Sequence, residues 1–133
     1  MSRGLKNNNP GNIRQSAVKY RGEVPSTDPA FKQFAAVAWG YRAVFMLLYT
    51  YQVRHGLHTI REMIVRYAPP NENRTDIYVD FVSRCAGVEA DGKLDTLSRT
   101  QMIPVVSAIS RMENGTEAVA ADVEAGWTLF REG

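Results

Sequence analysis

The stretch AAVAWGYRAVFMLLYTYQVRHG, residues 35–56, decides the fold class. Val37, Tyr41, Val44, Phe45, Leu48 and Tyr51 recur at the period of an α-helix. Leu47 widens the apolar face, so a helix over about 36–55 is expected to be the central and most buried one. Gly56 suits its stop, because glycine enters the left-handed conformation without steric cost.

C-terminal to this segment the helical pattern continues. HTIREMIVRYAPP, residues 58–70, has its own start and stop. Thr59 and Glu62 have capping-box spacing, Ile60, Met63, Ile64 and Tyr67 form an apolar face, and Pro69 and Pro70 end the helix. A third helix is predicted over about 75–86, with Ile77, Tyr78, Phe81, Val82 and Cys85 on its inner side and Gly87 at its end. The segment VEADGKLD, residues 88–95, reads as a polar turn. A fourth helix begins near Thr100, carries Met102, Ile103, Val106, Ile109 and Met112, tolerates Pro104 in or just past its first turn, and ends at Gly115. The fifth spans about 117–131 through Val119, Val123, Trp127 and Phe130.

N-terminal to residue 35 the chain is rich in Gly, Pro, Asn and Asp. RGLKNNNPGNIRQ, residues 3–15, packs turn formers densely. We read loops here, with room for one short hairpin around Ile13 to Val24. The expectation is a single, mainly α domain over 1–133, of about five helices after an irregular N-terminal segment.

Composition supports a globular chain of this kind. Apolar residues make up 44% and charged residues 23% of the 133 positions, and that length can bury a real core. The net charge of +2 is too small to argue for nucleic acid, and the basic residues are scattered from Lys6 to Arg111 without a run; most read as solvated helix faces. No apolar run approaches the ~20 residues of a membrane span. The polar N-terminus gives no sign of a signal peptide, so synthesis in a bacterial host cytoplasm is expected.

Most catalytic systems find no support. Cys85, the single cysteine, reads as a buried structural thiol. His55 and His58 flank a helix end, where they satisfy carbonyls and the dipole; two histidines without clustered Cys or carboxylate make no zinc site. Nucleophile-elbow, phosphate-loop and dinucleotide motifs are absent. No metal or cofactor is implied.

Two glutamates stand in unusual settings. Glu113, in AISRMENG, occupies the last turn of an apolar helix and meets the negative end of its dipole. That is unfavourable by ~0.3–1 kcal/mol when exposed, so stability alone would prefer lysine. A proton-donating carboxyl wants such a setting, as glycosidic cleavage requires. Glu72, in APPNENRTDIYV, lies at the mouth of the third helix. There a carboxylate is stabilised as an anion, which suits a clamp or charge stabiliser. With Asn73 it is also placed to cap that helix.

Four segments in order, RGLKNNNPGNIR, FKQFAAVAWGYRAVFMLLYTY, YAPPNENRTDIYVDFV and AISRMENG, resemble a family of small phage and prophage proteins commonly described as virion or structural proteins. The resemblance covers about residues 3–115. NENRTDIYVDFV is also similar to the Glu-Thr-Arg-x-Tyr-Val segment of soluble lytic transglycosylases, with two extra residues before the tyrosine. NNPGNIR resembles the Asn-rich turn of bacterial glucosaminidases, which share the lysozyme-like fold. AISRMENG resembles the helix end that bears the transglycosylase Glu-Ser pair, with Asn114 replacing the serine. In transglycosylases the catalytic glutamate precedes the other segments, whereas Glu113 follows them, so the resemblance implies a circularly permuted lysozyme-like domain.

What the resemblance implies about function is specific. Glu113 would be the general acid and Tyr78 would line the cleft and stabilise the developing cation. No second carboxylate need be close, because a transglycosylase uses the substrate's own hydroxyl or acetamido group, and Glu72 would serve as a clamp or charge stabiliser. Asn9, Asn12, Arg14 and Asn73 would contact substrate. The partner would be peptidoglycan glycan strands, reached at the cell wall, with other virion proteins as further neighbours. The leading expectation is a muralytic enzyme. The alternatives are a non-catalytic virion or wall-binding protein that retains the fold, and a host-directed interaction module.

Overall fold

The computed structural model describes residues 1–133. Its elements run α1 (Arg3–Lys6), β1 (Glu23–Val24), β2 (Gln33–Phe34), α2 (Val37–His55), α3 (Ile60–Tyr67), α4 (Thr75–Ala86), α5 (Arg99–Asn114) and α6 (Ala120–Glu132). The protein is mainly α, as expected. No helix is long and apolar enough to cross a membrane.

Helix α2 is the spine. Tyr41, Ala43, Val44, Phe45, Leu48 and Tyr51 are buried along it, and it packs most extensively on α6. Gly126 permits the close approach: a Cβ there would run into Tyr41 Cβ and lie 3.0 Å from the Arg42 backbone nitrogen. Phe45, Trp127 and Phe130 then interlock, with Phe45 edge-on to Trp127 at 5.1 Å between ring centres. Gly56 ends α2 at φ 65°, as its position predicts.

The other helices form a second group, α4 against α5 and α3. The Thr59–Glu62 capping box forms as read: Thr59 Oγ1 accepts from the Glu62 N–H at 3.1 Å, and Glu62 Oε1 accepts from the Thr59 N–H at 3.2 Å. Gly87 and Gly115 close α4 and α5 in left-handed conformations. Pro104 sits at the sixth residue of α5, where its ring removes the N–H that would reach the Thr100 carbonyl.

Four expectations need correction. The hairpin pairs Glu23 with Phe34 and Val24 with Gln33, so its second strand is the FKQF segment and the residues from Ile13 onward precede it. Asp28 accounts for the difference: its carboxylate accepts from the Ala30 and Phe31 N–H groups and folds the turn between the strands. On α4 the inner face is Thr75, Tyr78, Val79 and Val82. Ile77 and Cys85 belong to the neighbouring strip and are exposed, because α4 is wedged between α3 and α5. Val119 is the exposed N-cap of α6. Neither Glu72 nor Asn73 caps α4; the N-cap is Arg74, which makes no side-chain cap bond.

Candidate functional site

The opening segment folds into an ordered junction against the end of α5. Ser2 caps α1 and donates to Asn114 Oδ1 at 2.6 Å. Each following turn former has an assigned partner. Asn7 Nδ2 donates to Asp28, and Asn8 Nδ2 donates to the Phe34 carbonyl. Pro10 O accepts from Asn114 Nδ2 at 2.8 Å, and Gly11 O accepts from the Tyr67 hydroxyl at 2.5 Å. Asn8 and Asn12 adopt φ of 53° and 49°, the only non-glycine residues at positive φ. Asparagine is the side chain that tolerates this conformation best after glycine.

Asn9 sits at the centre of this junction. It is fully buried; its Nδ2 donates to the Ile13 and Lys32 carbonyls and its Oδ1 accepts the Ile13 N–H, all at 2.9 Å. Asn9 was expected among the substrate contacts. Its amide is instead committed to holding the loop, with no face toward solvent.

Glu113 is where the two chain regions meet. Asn12 Nδ2 donates to its Oε1 at 2.9 Å, and the Tyr78 hydroxyl donates to its Oε2 at 2.9 Å. Tyr78 comes from the buried face of α4, Glu113 from the last turn of α5, and Asn12 from the loop. The carboxyl borders a cavity of about 90 Å³ lined by Asn12, Arg14, Phe31, Tyr67, Glu72 and Asn73 among others. Five of the seven residues expected at a site therefore share one cavity, Tyr78 holds the carboxyl on its border, and Asn9 lies behind the loop.

The electrostatics are asymmetric. Burial pushes the Tyr78 phenol well above its ordinary pKa, and Tyr67 and Glu113 push it further. Burial does the same to Tyr67, followed by the nearby charge of Glu113. Both phenols stay neutral donors. At the rim, Arg14 Nη2 and Glu72 Oε2 form an exposed pair at 3.4 Å, with the Arg14 guanidinium over the Phe31 ring at 5.4 Å. Asn73 Nδ2 donates to the Pro69 carbonyl.

One polar atom here has no partner. Asn12 Oδ1 is buried without a hydrogen bond and lies against Gly4. The amide orientation is dictated by Nδ2, which must face the carboxylate. An orphaned buried acceptor costs about 1–3 kcal/mol.

Sequence reasoning missed Tyr67 and Asn114. In sequence Tyr67 reads as part of the apolar face of α3; its place at the helix end, just before Ala68 and the two prolines, is the available signal. Asn114 reads in sequence only as a replacement for serine, yet it ties Ser2, Pro10 and Ser110 together. No group of three His, Cys, Asp or Glu residues stands together as a metal site would require. His55 instead contacts Arg66, and His58 contacts Gln52.

These features define a small, mainly helical protein with a carboxyl-bordered cavity at the meeting of its N-terminal loop and its fifth helix. No protein-family model matches the chain. Protein P5 of Pseudoalteromonas phage PM2 is 37% identical over 125 residues, covering 91% of this chain and 76% of that protein. The chain belongs to the family of that phage protein.

Proposed function

We propose that this is a phage muralytic protein of lysozyme-like character, with Glu113 as the general acid that cleaves a peptidoglycan glycan strand. The observation that carries the reading is the setting of one carboxyl. Glu113 borders a cavity between a phenol and an amide that fix both its oxygens. Each oxygen retains a second lone-pair direction for a substrate. The cavity has the volume of roughly three waters, so sugar rings would lie across its mouth and insert only a substituent.

In this reading Glu113, in the form that carries a proton, gives it to the glycosidic oxygen as the C–O bond breaks, and the Tyr78 and Asn12 donors stabilise the carboxylate that is left. Tyr78, held neutral behind the cavity wall, donates to Glu113 Oε2 and so orients the carboxyl and supports the charge left on it. The substrate's own hydroxyl or acetamido group, or water, then attacks the sugar and the Glu113 carboxylate recovers a proton. Arg14, Asn12 and Asn73 would contact sugar or peptide substituents, and Glu72 would hold Arg14 in place. Backbone strain concentrated in the loop, at Asn8 and Asn12, fits a functional segment.

A second reading is favoured by the same two hydrogen bonds. Glu113 clamps the N-terminal loop to α4 and α5, which is what a non-catalytic virion protein would need from it. Digestion of purified peptidoglycan by wild type and Glu113→Gln separates the two. Glutamine keeps the shape and can still accept from Tyr78, so the variant is expected to fold. Loss of activity in Glu113→Gln alone supports the enzyme. Equal activity in both removes Glu113 from the mechanism, and folded but inactive wild type favours the structural role.

A further inference from the structure

A second groove lies between the α2–α3 region and the loop that precedes β1. It has a volume of about 480 Å³, and Lys19, Arg21, Arg42, Arg54, His55 and Arg66 all line it, with no aspartate or glutamate in its wall.

Ion pairing elsewhere makes this concentration informative. Arg3, Arg14, Arg61, Arg74, Arg84, Arg99 and Arg111 each pair with a carboxylate. Arg21, Arg42, Arg54, Arg66 and Arg131 do not, and four of these five line the one groove. Lys19 is shared with Glu23 at 3.4 Å, but that carboxylate is turned inward to the buried Lys32 at 3.1 Å.

Arg42 is the residue that demands an explanation. It is 4% exposed, and its Nε is buried without a hydrogen-bond partner. A charged group whose Nε–H is taken out of water with nothing to donate to is costly unless an acceptor answers it. The neighbouring cation Arg21 adds repulsion: burial and Arg21 together lower the Arg42 pKa. A chain selected only for stability would put a carboxylate or an apolar side chain here.

We propose that this groove is a binding site for a compact oligophosphate group, with Arg42 at its base and Arg21, Arg54 and Arg66 around it. Guanidinium forks match phosphate oxygens in pairs, and several unneutralised arginines in one groove call for a ligand of several charges. Tyr51, pushed up to about 12 chiefly by burial, remains a neutral phenol and adds a donor. The groove is a single pocket rather than a track, which favours a compact oligophosphate over a nucleic-acid strand. The site is separate from the Glu113 cavity and does not depend on its function.

The test is calorimetric titration of the full chain with sodium tripolyphosphate. Saturable binding is expected for wild type, weakened roughly tenfold or more in Arg54→Glu/Arg66→Glu. Both arginines are exposed, so the fold is expected to survive. Arg61→Glu/Arg84→Glu, on paired surface arginines, should bind like wild type. Should Arg54→Glu/Arg66→Glu prove unfolded, Arg21→Glu alone provides the same readout. The proposal is overturned if wild type does not bind tripolyphosphate, or if the groove and control variants weaken equally. It is also overturned if a single-stranded oligonucleotide binds at the groove and tripolyphosphate fails to displace it.

Discussion

Asn12 and Glu113 stand 101 positions apart in the chain and are joined by a 2.9 Å hydrogen bond. That bond closes the molecule, because it fastens the N-terminal loop to the end of α5 beside the Ser2–Asn114 and Pro10–Asn114 bonds. It also orients the carboxyl on which the proposed chemistry rests. Stability and the proposed chemistry are both loaded on one amide.

Asn12 carries two separable demands, a donor and a positive φ. Asn12→Gly keeps the conformation and loses the bond, which is charge-assisted and should cost about 1.5–3 kcal/mol, less whatever is regained by removing the orphaned Oδ1. Asn12→Ala loses the bond and must also hold a Cβ at φ 49°, adding roughly 1–2 kcal/mol. Urea denaturation of the three proteins should rank them wild type, Gly, Ala. Alanine at or above glycine in stability would show that the loop relaxes out of the left-handed conformation.

Gly126 is a second test of close packing. In an open helix Gly→Ala gains about 1 kcal/mol of propensity. Here the new Cβ meets Tyr41 Cβ and the backbone of Arg42 and Ala38, neither of which can swing aside. Overpacking costs about 1–3 kcal/mol, so Gly126→Ala should be destabilising on balance. A raised unfolding midpoint in thermal melts would contradict this account of the α2–α6 contact.

Lys32 is buried completely, with its ammonium on Glu23 and on the Ser16 and Val18 carbonyls. Burial pushes the Glu23 pKa up, but the Tyr20 N–H and Lys32 outweigh it and the net shift is downward. Lys32→Met leaves that carboxylate with only the exposed Lys19 and the Tyr20 N–H, and should cost up to about 3–5 kcal/mol. Lys32→Met/Glu23→Gln should recover a measurable part of the loss, since that charge is gone. A double variant less stable than Lys32→Met would place the cost in the carbonyls instead.

Acid should loosen the N-terminal junction through Asp28. Arg3, at 2.6 and 2.7 Å, lowers its pKa most, followed by the Ala30 N–H. A depressed folded pKa contributes stability above the unfolded value of ~3.9 and loses it as pH falls through the folded value. Asp28→Asn should therefore show a shallower fall in melting temperature below about pH 4. The fall should not vanish, because Glu23, Glu62 and Asp91 are also lowered by their partners. An unchanged acid limb in Asp28→Asn would remove Asp28 from it.

Helices and stops were legible because they are local. Gly56, Gly87, Gly115 and the Thr59–Glu62 box each act within one turn, and each acts as read. The phase of α4 was not legible, since Ile77, Tyr78 and Val79 each carry a large apolar surface and only the position of α3 and α5 decides which turn inward. The loop residues were singled out by type, yet type cannot separate Asn9, committed inside, from Asn12, turned to Glu113. The basic groove was invisible in sequence because its arginines come from three separated stretches with no run among them. Arg42 reads as part of a solvated face, and its burial follows from tertiary neighbours, the Val18–Arg21 loop that shares the groove with it and α6 against its backbone.

Tyr78 is the residue at which packing and the proposed chemistry can be told apart. Its ring is buried at 4% exposure, and its hydroxyl is the donor to Glu113 Oε2. Tyr78→Phe keeps the ring and deletes that donor, so the stability cost should be about 1.5–3 kcal/mol, the same range as for the Asn12 bond to this carboxyl. If Glu113 is the general acid and the phenol supports the charge that develops, peptidoglycan digestion should fall roughly a hundredfold, the scale of removing one oriented donor. A clamp role for Glu113 predicts the stability loss with no selective loss of turnover. Measuring melting temperature and digestion rate on the same Tyr78→Phe preparation gives both numbers. Wild-type turnover in a destabilised variant would take the phenol, and with it the cleft geometry, out of the mechanism.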